Sequence, residues 1–283
     1  VSRMPGLYEL SQKSPLADVI LAQQRLFPES FRFMPQTWHL PEQLAQFQQD
    51  HAHREATHPT SYQRFYIVKP NDGRQGAGIF LITDPHDARL RRMRRSHVVQ
   101  DYVANPLLLD GFKFDMRLYV FIQSLEPFRA YLHREGMARL CTTPYARPTP
   151  ENMDEIFMHL TNFSLNKRSD NYRQAGKASH NNDNPDDHDD DDDEGGSKRL
   201  LSSVMETLAA EGSNTSVMWA NIEDLVCKTL LAMYPHMLVE YRKAVPKERA
   251  VRPFQLLGFD VLIDETLHPH LIEINANPSL RID

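Results

Sequence analysis

Cysteine is nearly absent from this 283-residue chain. Only Cys141 and Cys227 occur, in unrelated contexts. Two such residues make neither a disulfide framework nor a cysteine-based metal site, and a reducing cytosol is the expected setting. Long apolar runs are missing too. None approaches the ~20 residues that span a bilayer, and no apolar stretch of a signal peptide follows Val1-Ser-Arg-Met4. A membrane is therefore not expected as a partner. The one glycine-rich loop is followed neither by Lys-Ser/Thr nor at once by a helical pattern, which sets aside the P-loop and the dinucleotide fingerprint. What remains is 41% hydrophobic and 25% charged, the profile of a globular protein with one large or two smaller cores. The formal charge of −6 is misleading. Asp186 to Glu194 holds eight carboxylates interrupted only by His188, and setting them aside moves the charge from −6 to +2.

The stretch Leu257 to Ser279 organises the rest. Gly258-Phe-Asp-Val-Leu-Ile263 and Leu271-Ile-Glu-Ile-Asn275 read as strands, joined by turn-type residues including Asp264, Thr266 and Pro269. Residues two apart share a strand face, so Glu273 and Asn275 point the same way, and in a hairpin Asp260 lies nearly opposite. Two carboxylates and an amide on an apolar sheet need a positive partner. Mg²⁺ suits them, because it takes one or two carboxylates plus phosphate oxygens and water. The plainer alternative is a pair of acids on the solvent face of an edge strand.

Taken in order, Leu16–Phe27 predicts a helix stopped by Pro28, Phe31–Pro41 an extended connection, and Pro41–Ala56 a polar helix. His51, His53 and His58 cluster with no other ligand type, so a metal reading there is not favoured. Arg64 to Ile82 reads as strand, glycine loop, strand. Gly73, Gly76 and Gly78 free that backbone to point N–H groups at phosphate oxygens, and Lys69 adds a cation; a plain hairpin turn would look similar. Arg89, Arg91, Arg92, Arg94 and Arg95 form a cationic patch. It reads as a solvated face or as a landing surface for a polyanion, and with no aromatic residue among them a base-stacking surface is not expected.

His97–Val103 predicts a strand whose polar end suits an adenine edge. Gly111–Ile122 alternates, with Lys113, Asp115, Arg117 and Tyr119 on one face and Phe112, Phe114, Met116, Leu118 and Val120 on the other. The charged face suits a phosphate and ribose site, or an exposed face with cross-strand ion pairs. Phe128–His133 and Gly136–Leu140 read as a hairpin turned at residues 134–136, which brings Arg139 near Arg117. His159, Thr161 and Asn162 sit in a semi-apolar run, as in a loop lining a site. Residues 174–197 are low in complexity and read as a disordered insertion, without the glycine-turned spacing of a calcium loop. Ser202–Ala210 and Ile222–Tyr241 predict helices.

Several segments together resemble the tubulin–tyrosine ligase-like family, and within it the polyglutamylases. They are Lys69-Pro-Asn-Asp-Gly-Arg-Gln-Gly-Ala-Gly-Ile79, Pro106-Leu-Leu-Leu-Asp-Gly-Phe-Lys-Phe-Asp-Met-Arg117, Glu135-Gly-Met-Ala-Arg139, Met158-His-Leu-Thr-Asn162, Gly196-Ser-Lys-Arg199, Gly258-Phe-Asp260 and Glu273-Ile-Asn-Ala-Asn-Pro-Ser279. The likeness runs from about Pro5 to the end, apart from the acidic insertion. It implies an α+β ATP-grasp fold, two α+β lobes with antiparallel sheets enclosing an ATP site. The expected division is a helical and extended N-terminal segment (1–60), a central lobe with the glycine-rich lid (61–105) and a C-terminal lobe carrying the insertion (106–283). The resemblance also implies an N-terminal lobe before Val1 and a helix and basic segment after Asp283, so the sequence reads as a fragment.

By position, the resemblance implies that Lys69, Lys113 and the lid residues Gln75, Gly76 and Gly78 hold ATP phosphates. It implies adenine at Gln100, Asp101, Tyr102 and Val103, the ribose side at Asp115, and Mg²⁺ at Asp260, Glu273 and Asn275. Arg117, Arg139, His159, Thr161 and Asn162 would line the nucleotide and the reacting centre, with Lys113, Arg117 and Arg139 as catalytic groups. The implied activity is ATP-dependent addition of free glutamate to the acidic C-terminal tails of tubulin through an acyl phosphate. The enzyme would be a monomer working on microtubules in the cytoplasm and cytoskeleton, at a cilium or basal body, with no nucleic-acid or membrane partner. Glycine or tyrosine in place of glutamate, and a catalytically silent tubulin-binding module, are the alternatives.

Overall fold

The structure, a computed structural model, describes residues 3–57, 63–73, 76–173, 196–246 and 252–280. His58, Gln75 and residues 174–195 of the expected insertion lie outside the described residues. Gly196 and Ser197, assigned to that insertion by composition, belong to the fold: the Ser197 N–H donates to the Arg173 carbonyl, and the Leu140 N–H to that of Ser197.

The chain opens with two helices, α1 (Leu7–Leu10) and α2 (Lys13–Leu26). A short strand β1 (Thr37–Leu40), helix α3 (Leu44–Thr57), strands β2 (Tyr66–Pro70) and β3 (Phe80–Ile82), helix α4 (Ala88–Arg91) and strand β4 (His97–Asp101) follow. The four strands form an antiparallel sheet in the order β1-β4-β2-β3. Its core is aromatic. Trp38, Phe47 and Tyr66 are buried, with ring centroids 4.9 Å apart for Trp38–Phe47 and 4.8 Å for Phe47–Tyr66, edge and tilted contacts of the kind aromatic quadrupoles favour. The strand β1 lies in the segment expected to be a mere extended connection. Its four residues carry too few positions for periodicity to register.

Then come β5 (Leu108–Leu109), β6 (Phe112–Leu125), β7 (Phe128–Leu140), short helices α5 (Ile156–His159) and α6 (Phe163–Asn166), β8 (Lys198–Leu200), helices α7 (Leu201–Ala210) and α8 (Thr215–Ala244), and β9 (Gln255–Ile263) and β10 (Pro269–Asn275). These strands form a second antiparallel sheet in the order β10-β9-β6-β7-β8, with β5 on β6. Met116, Leu118, Val120, Phe259 and Val261 on one face meet Ile20 of α2 and Ile222, Met233 and Met237 of α8 in one buried core. Each fully buried side chain of this size contributes about 1.5–3 kcal/mol relative to exposure. Residues 128–140 are one strand, not a hairpin turned at 134–136; β6 and β7 turn instead at Glu126-Pro127. Gly136, read as a turn residue, sits within the ladder opposite Leu118.

Residues 1–60, expected as a segment of their own, divide between the two sheets. Helices α1 and α2 join the core of the large sheet, whereas β1 and α3 build the small one. Among the described residues, no helix is long and apolar enough to cross a membrane. Cys141 is buried and Cys227 exposed, both free.

Candidate active site

The two sheets face each other across a cleft. Lys69 at the end of β2 and Gln100 to Val103 at the end of β4 line one side. Lys113, Asp115, Arg139, Asp260 and Glu273 line the other, and His159, Thr161 and Asn162 close one end. The alternation on β6 holds: Phe114, Met116 and Leu118 enter the core while Lys113 and Asp115 face the cleft. Of the expected site residues, Arg117, Gly76, Gly78 and Asn275 are not among those that line this cleft.

A buried ion network forms the centre. Asp260 is 1% exposed. Arg117 binds it in a fork, Nε donating to Oδ1 and Nη2 to Oδ2 at 2.9 Å. Arg139 donates from Nη2 to Asp260 Oδ2 at 2.7 Å and, through Nε and Nη2, to both oxygens of Asp115 at 2.7 and 2.6 Å. Thr161 donates to Asp115 Oδ2 at 2.6 Å. Burial alone would raise the Asp260 carboxyl, but Arg139 and Arg117 hold it well below the usual carboxylate range. The geometry requires two glycines. A Cβ on Gly258 of β9 would lie 2.8 Å from Arg117 Cδ, and one on Gly136 of β7 would lie 2.4 Å from the Arg117 carbonyl oxygen. Arg117 therefore runs across one glycine and rests its backbone against another.

Glu273 lies directly opposite Asp260. Burial and the Asp260 charge push its carboxyl up. Asn275 completes the group, its Nδ2 donating to Glu273 Oε1 at 3.2 Å and to Asp260 Oδ2 at 3.5 Å. Two apposed carboxylates, one of them reluctant to ionise, leave a deficit of positive charge. Among the described residues no group of three or more His, Cys, Asp or Glu could hold a metal ion. The donors here are two acids and an amide, a hard-oxygen set that fits Mg²⁺ sharing its sphere with water and phosphate.

The lysines are buried in different company. Lys69 donates to Gln100 Oε1 at 2.8 Å, and Gln100 Nε2 donates to Thr37 Oγ1 at 2.9 Å. Burial pushes both Lys69 and Lys113 down to about 8. Gln100, Asp101, Tyr102 and Val103, where adenine is expected, all line the cleft, and three of them also bond within the protein. The Gln100 side chain is spent on Lys69, the Asp101 carboxylate is bound by both Arg54 amino groups at 2.9 Å, and the Asp101 and Tyr102 amides donate to Gln36 and Phe65. Val103 keeps its place on the cleft wall. The lid closes on the far side: a Cβ on Gly76 would meet Leu165 Cδ1 at 2.4 Å and Asn162 Oδ1 at 3.1 Å, and Gly76 and Gly78 have φ of 79° and 73°, which suits glycine.

The sequence signature described as the tubulin-tyrosine ligase family matches residues 1–283. The chain belongs to that family. It is 41% identical over 286 residues to the human tubulin polyglutamylase TTLL11, covering 100% of this chain and 38% of that protein. It is 40% identical over 285 residues to the Caenorhabditis elegans tubulin polyglutamylase ttll-11, with 100% and 38% covered. To the human tubulin polyglutamylase TTLL13 it is 35% identical over 287 residues, with 100% and 32% covered. The chain thus spans well under half the length of these relatives. Two antiparallel sheets with flanking helices, closing on a polar cleft, are the ATP-grasp-like architecture expected of the family.

In this member of the tubulin-tyrosine ligase family the cleft also holds residues that sequence reasoning passed over. Lys13, at the first turn of α2, lines it and donates to the Gly73 carbonyl at 2.9 Å. Nothing in the local sequence connects a helix start to a loop 60 residues away. Ile67, Leu262 and Ile272 form apolar walls; Ile67 and Leu262 stand two residues from Lys69 and Asp260 on the same strand faces, a spacing that could have found them. Of the three histidines His51, His53 and His58, the last lies outside the described residues, and His51 Nδ1 lies 2.8 Å from the Tyr66 hydroxyl. In the arginine patch, Arg89 pairs with Asp87 and covers the Phe80 ring, while Arg91, Arg92, Arg94 and Arg95 are exposed.

Proposed function

We propose that the cleft binds ATP with Mg²⁺ and that the protein joins glutamate to glutamate side chains in tubulin C-terminal tails. The observation that carries this reading is the convergence of Lys69, Lys113, Asp115, Arg139, Asp260 and Glu273 from two sheets on one cleft, in a chain whose relatives are named tubulin polyglutamylases. Lys69 and Lys113 hold phosphate oxygens, Asp115 lies toward the ribose, and the apolar walls take the base beside Val103. Asp260, Glu273 and Asn275 hold the ion, which offsets charge on the phosphates.

In the reaction, an oxygen of the acceptor carboxylate attacks the γ-phosphorus, the bond to the bridging oxygen breaks, and ADP leaves. The amino group of free glutamate then attacks the acyl carbon, loses a proton, and expels phosphate. Arg117 and Arg139 stabilise the anionic acyl phosphate and tetrahedral species through fixed guanidinium donors. Since Asp260 engages both arginines here, it also holds them in place. A cytoplasmic, cytoskeletal setting at microtubules or a cilium follows from such a substrate and is part of the same proposal.

The test is to incubate the full-length protein with microtubules, ATP–Mg²⁺ and each labelled amino acid in turn. Label from glutamate alone supports the reading. Label from glycine or tyrosine overturns the choice of amino acid, and no label with intact microtubule pelleting overturns catalysis. Arg117→Ala is expected to lower turnover by about 100-fold or more.

A further inference from the structure

Lys113 is a buried ammonium whose neighbours fix its direction. Its Nζ donates to the Tyr102 hydroxyl oxygen at 2.8 Å and to the His159 carbonyl oxygen at 3.0 Å, and it lies 4.2 Å from the centroid of the Tyr102 ring. An ammonium has three donors, so one is left for the cleft that Lys113 lines. The Tyr102 hydroxyl is also 3.0 Å from His159 Nδ1, and His159 Nε2 is 3.0 Å from the Asn152 carbonyl oxygen. A carbonyl oxygen only accepts, so Nε2 carries the proton. Burial, with Lys113 beside it, pushes the imidazole down to about 4. The ring is then neutral near pH 7, and Nδ1 is an acceptor. The Tyr102 O–H, which also stands within hydrogen-bonding reach of the Tyr145 hydroxyl, donates to Nδ1 in the arrangement that leaves the phenol lone pairs facing Lys113.

We propose that Tyr102 and His159 are positioning residues for Lys113, orienting its ammonium so that the remaining N–H meets a nucleotide phosphate oxygen in the cleft. The inference rests on the nucleotide-binding reading above. It gives His159 a role different from contact with nucleotide: both ring nitrogens are already engaged within the protein, and the residue is 2% exposed. Tyr102 likewise turns its hydroxyl to Lys113 and His159. Both residues act on the ligand through the lysine, so their effect should vanish when the lysine is gone.

The experiment measures MgATP binding by calorimetry in the full-length protein. The variants are Tyr102→Phe, His159→Leu, His159→Asn, Lys113→Met and the doubles of Lys113→Met with Tyr102→Phe and with His159→Leu. Tyr102→Phe and His159→Leu are each expected to weaken binding about tenfold, the worth of a hydrogen bond to a charged group. His159→Asn, which keeps an acceptor near the Nδ1 position, should recover most of the loss. In the Lys113→Met background neither change should weaken binding by more than about twofold. Additive losses in the doubles overturn the proposal, since Tyr102 or His159 would then act independently of Lys113. Should Tyr102→Phe fail to fold, the His159→Leu cycle decides alone. If the native protein binds no MgATP, the nucleotide reading falls and takes this proposal with it; native binding with additive losses sinks the proposal only.

Discussion

Glu273 stands opposite Asp260 because Ile272 is one residue more than a regular ladder holds. Leu271 pairs with Val261 and Glu273 with Asp260, leaving Ile272 unpaired between them. In a regular strand Leu271, Glu273 and Asn275 would share a face. The bulge lets Leu271 enter the core, where it is 0% exposed, while Glu273 faces the cleft. Bulges recur beside active sites because they re-aim a side chain in this way.

The pairing has a cost that metal binding should offset. A carboxyl raised by folding contributes stability that is fully present below its unfolded value and is lost as pH rises through the folded one. Burial and Asp260 raise Glu273, so at pH 7 without metal the pair destabilises the fold. Glu273→Gln removes the raised carboxyl. Its metal-free melting temperature at pH 7 is expected to exceed that of the parent by about 2–4 °C, a margin that should shrink toward pH 4. With ATP present, Mg²⁺ should stabilise the parent and leave the variant nearly unchanged. Equal metal responses in calorimetric scans of the two would remove Glu273 from the ion site.

Gly136 and Gly258 bracket Arg117, yet their substitutions should fail differently. An alanine at 136 meets the Arg117 carbonyl oxygen at 2.4 Å, and backbone in the middle of a ladder cannot give. Gly136→Ala is expected to cost about 2–3 kcal/mol or more of stability, at the upper end of overpacking costs. An alanine at 258 meets Arg117 Cδ and Pro278 Cβ, each at 2.8 Å. The arginine side chain can move, and in moving it leaves Asp260. Gly258→Ala should cost about 1 kcal/mol of stability but reduce turnover about tenfold or more, because a displaced guanidinium no longer meets developing charge. Denaturant unfolding alongside turnover separates the two outcomes.

How much of this was legible beforehand follows from the range over which each signal acts. The hairpin of Asp260, Glu273 and Asn275 and the alternating face of Lys113 and Asp115 are local patterns, and they appear as read. The hairpin at 134–136 was misread because Arg134-Glu135-Gly136 looks like a turn, whereas Gly136 is there to let Arg117 pass beneath it. Lys13 was illegible for the opposite reason: its partner Gly73 is distant in sequence, and only folding brings α2 against the lid. The expectation for His159 and Gln100 rests on the family resemblance, and both line the cleft. That their side chains also meet Tyr102 and Lys69 depends on direction, which residue type does not encode.

The lid should respond to space on α6. Gly76 has φ of 79°, and a Cβ there would press on Leu165 Cδ1 at 2.4 Å. Gly76→Ala therefore carries backbone strain of about 1 kcal/mol together with a clash that lifts the loop. The expected result is a KM for ATP raised about tenfold, with a smaller change in kcat. Adding Leu165→Ala should recover part of the KM by relieving the clash while leaving the strain. If the double variant is no better than the single, the lid does not rest on α6 during binding.

The two buried lysines predict opposite pH trends for stability and for nucleotide binding. Lys69 and Lys113 are both pushed down to about 8 by burial, from an ordinary 10.5. For a base lowered by folding, the penalty of burying its charge is fully present below the folded value and fades as pH rises toward the unfolded one. These groups should therefore make the ligand-free protein more stable between about pH 8 and 10.5. Phosphate oxygens need the charged form, so MgATP affinity should fall over the same range, by about tenfold per pH unit for each lysine that must be recharged. Lys113→Met removes one titration: its stability should vary less with pH above 8 than that of the parent, and its weaker binding should decline less steeply. Parallel pH series of chemical unfolding and calorimetric titration measure both. A parent whose MgATP affinity is flat from pH 7.5 to 9.5 would show that neither ammonium meets the phosphates.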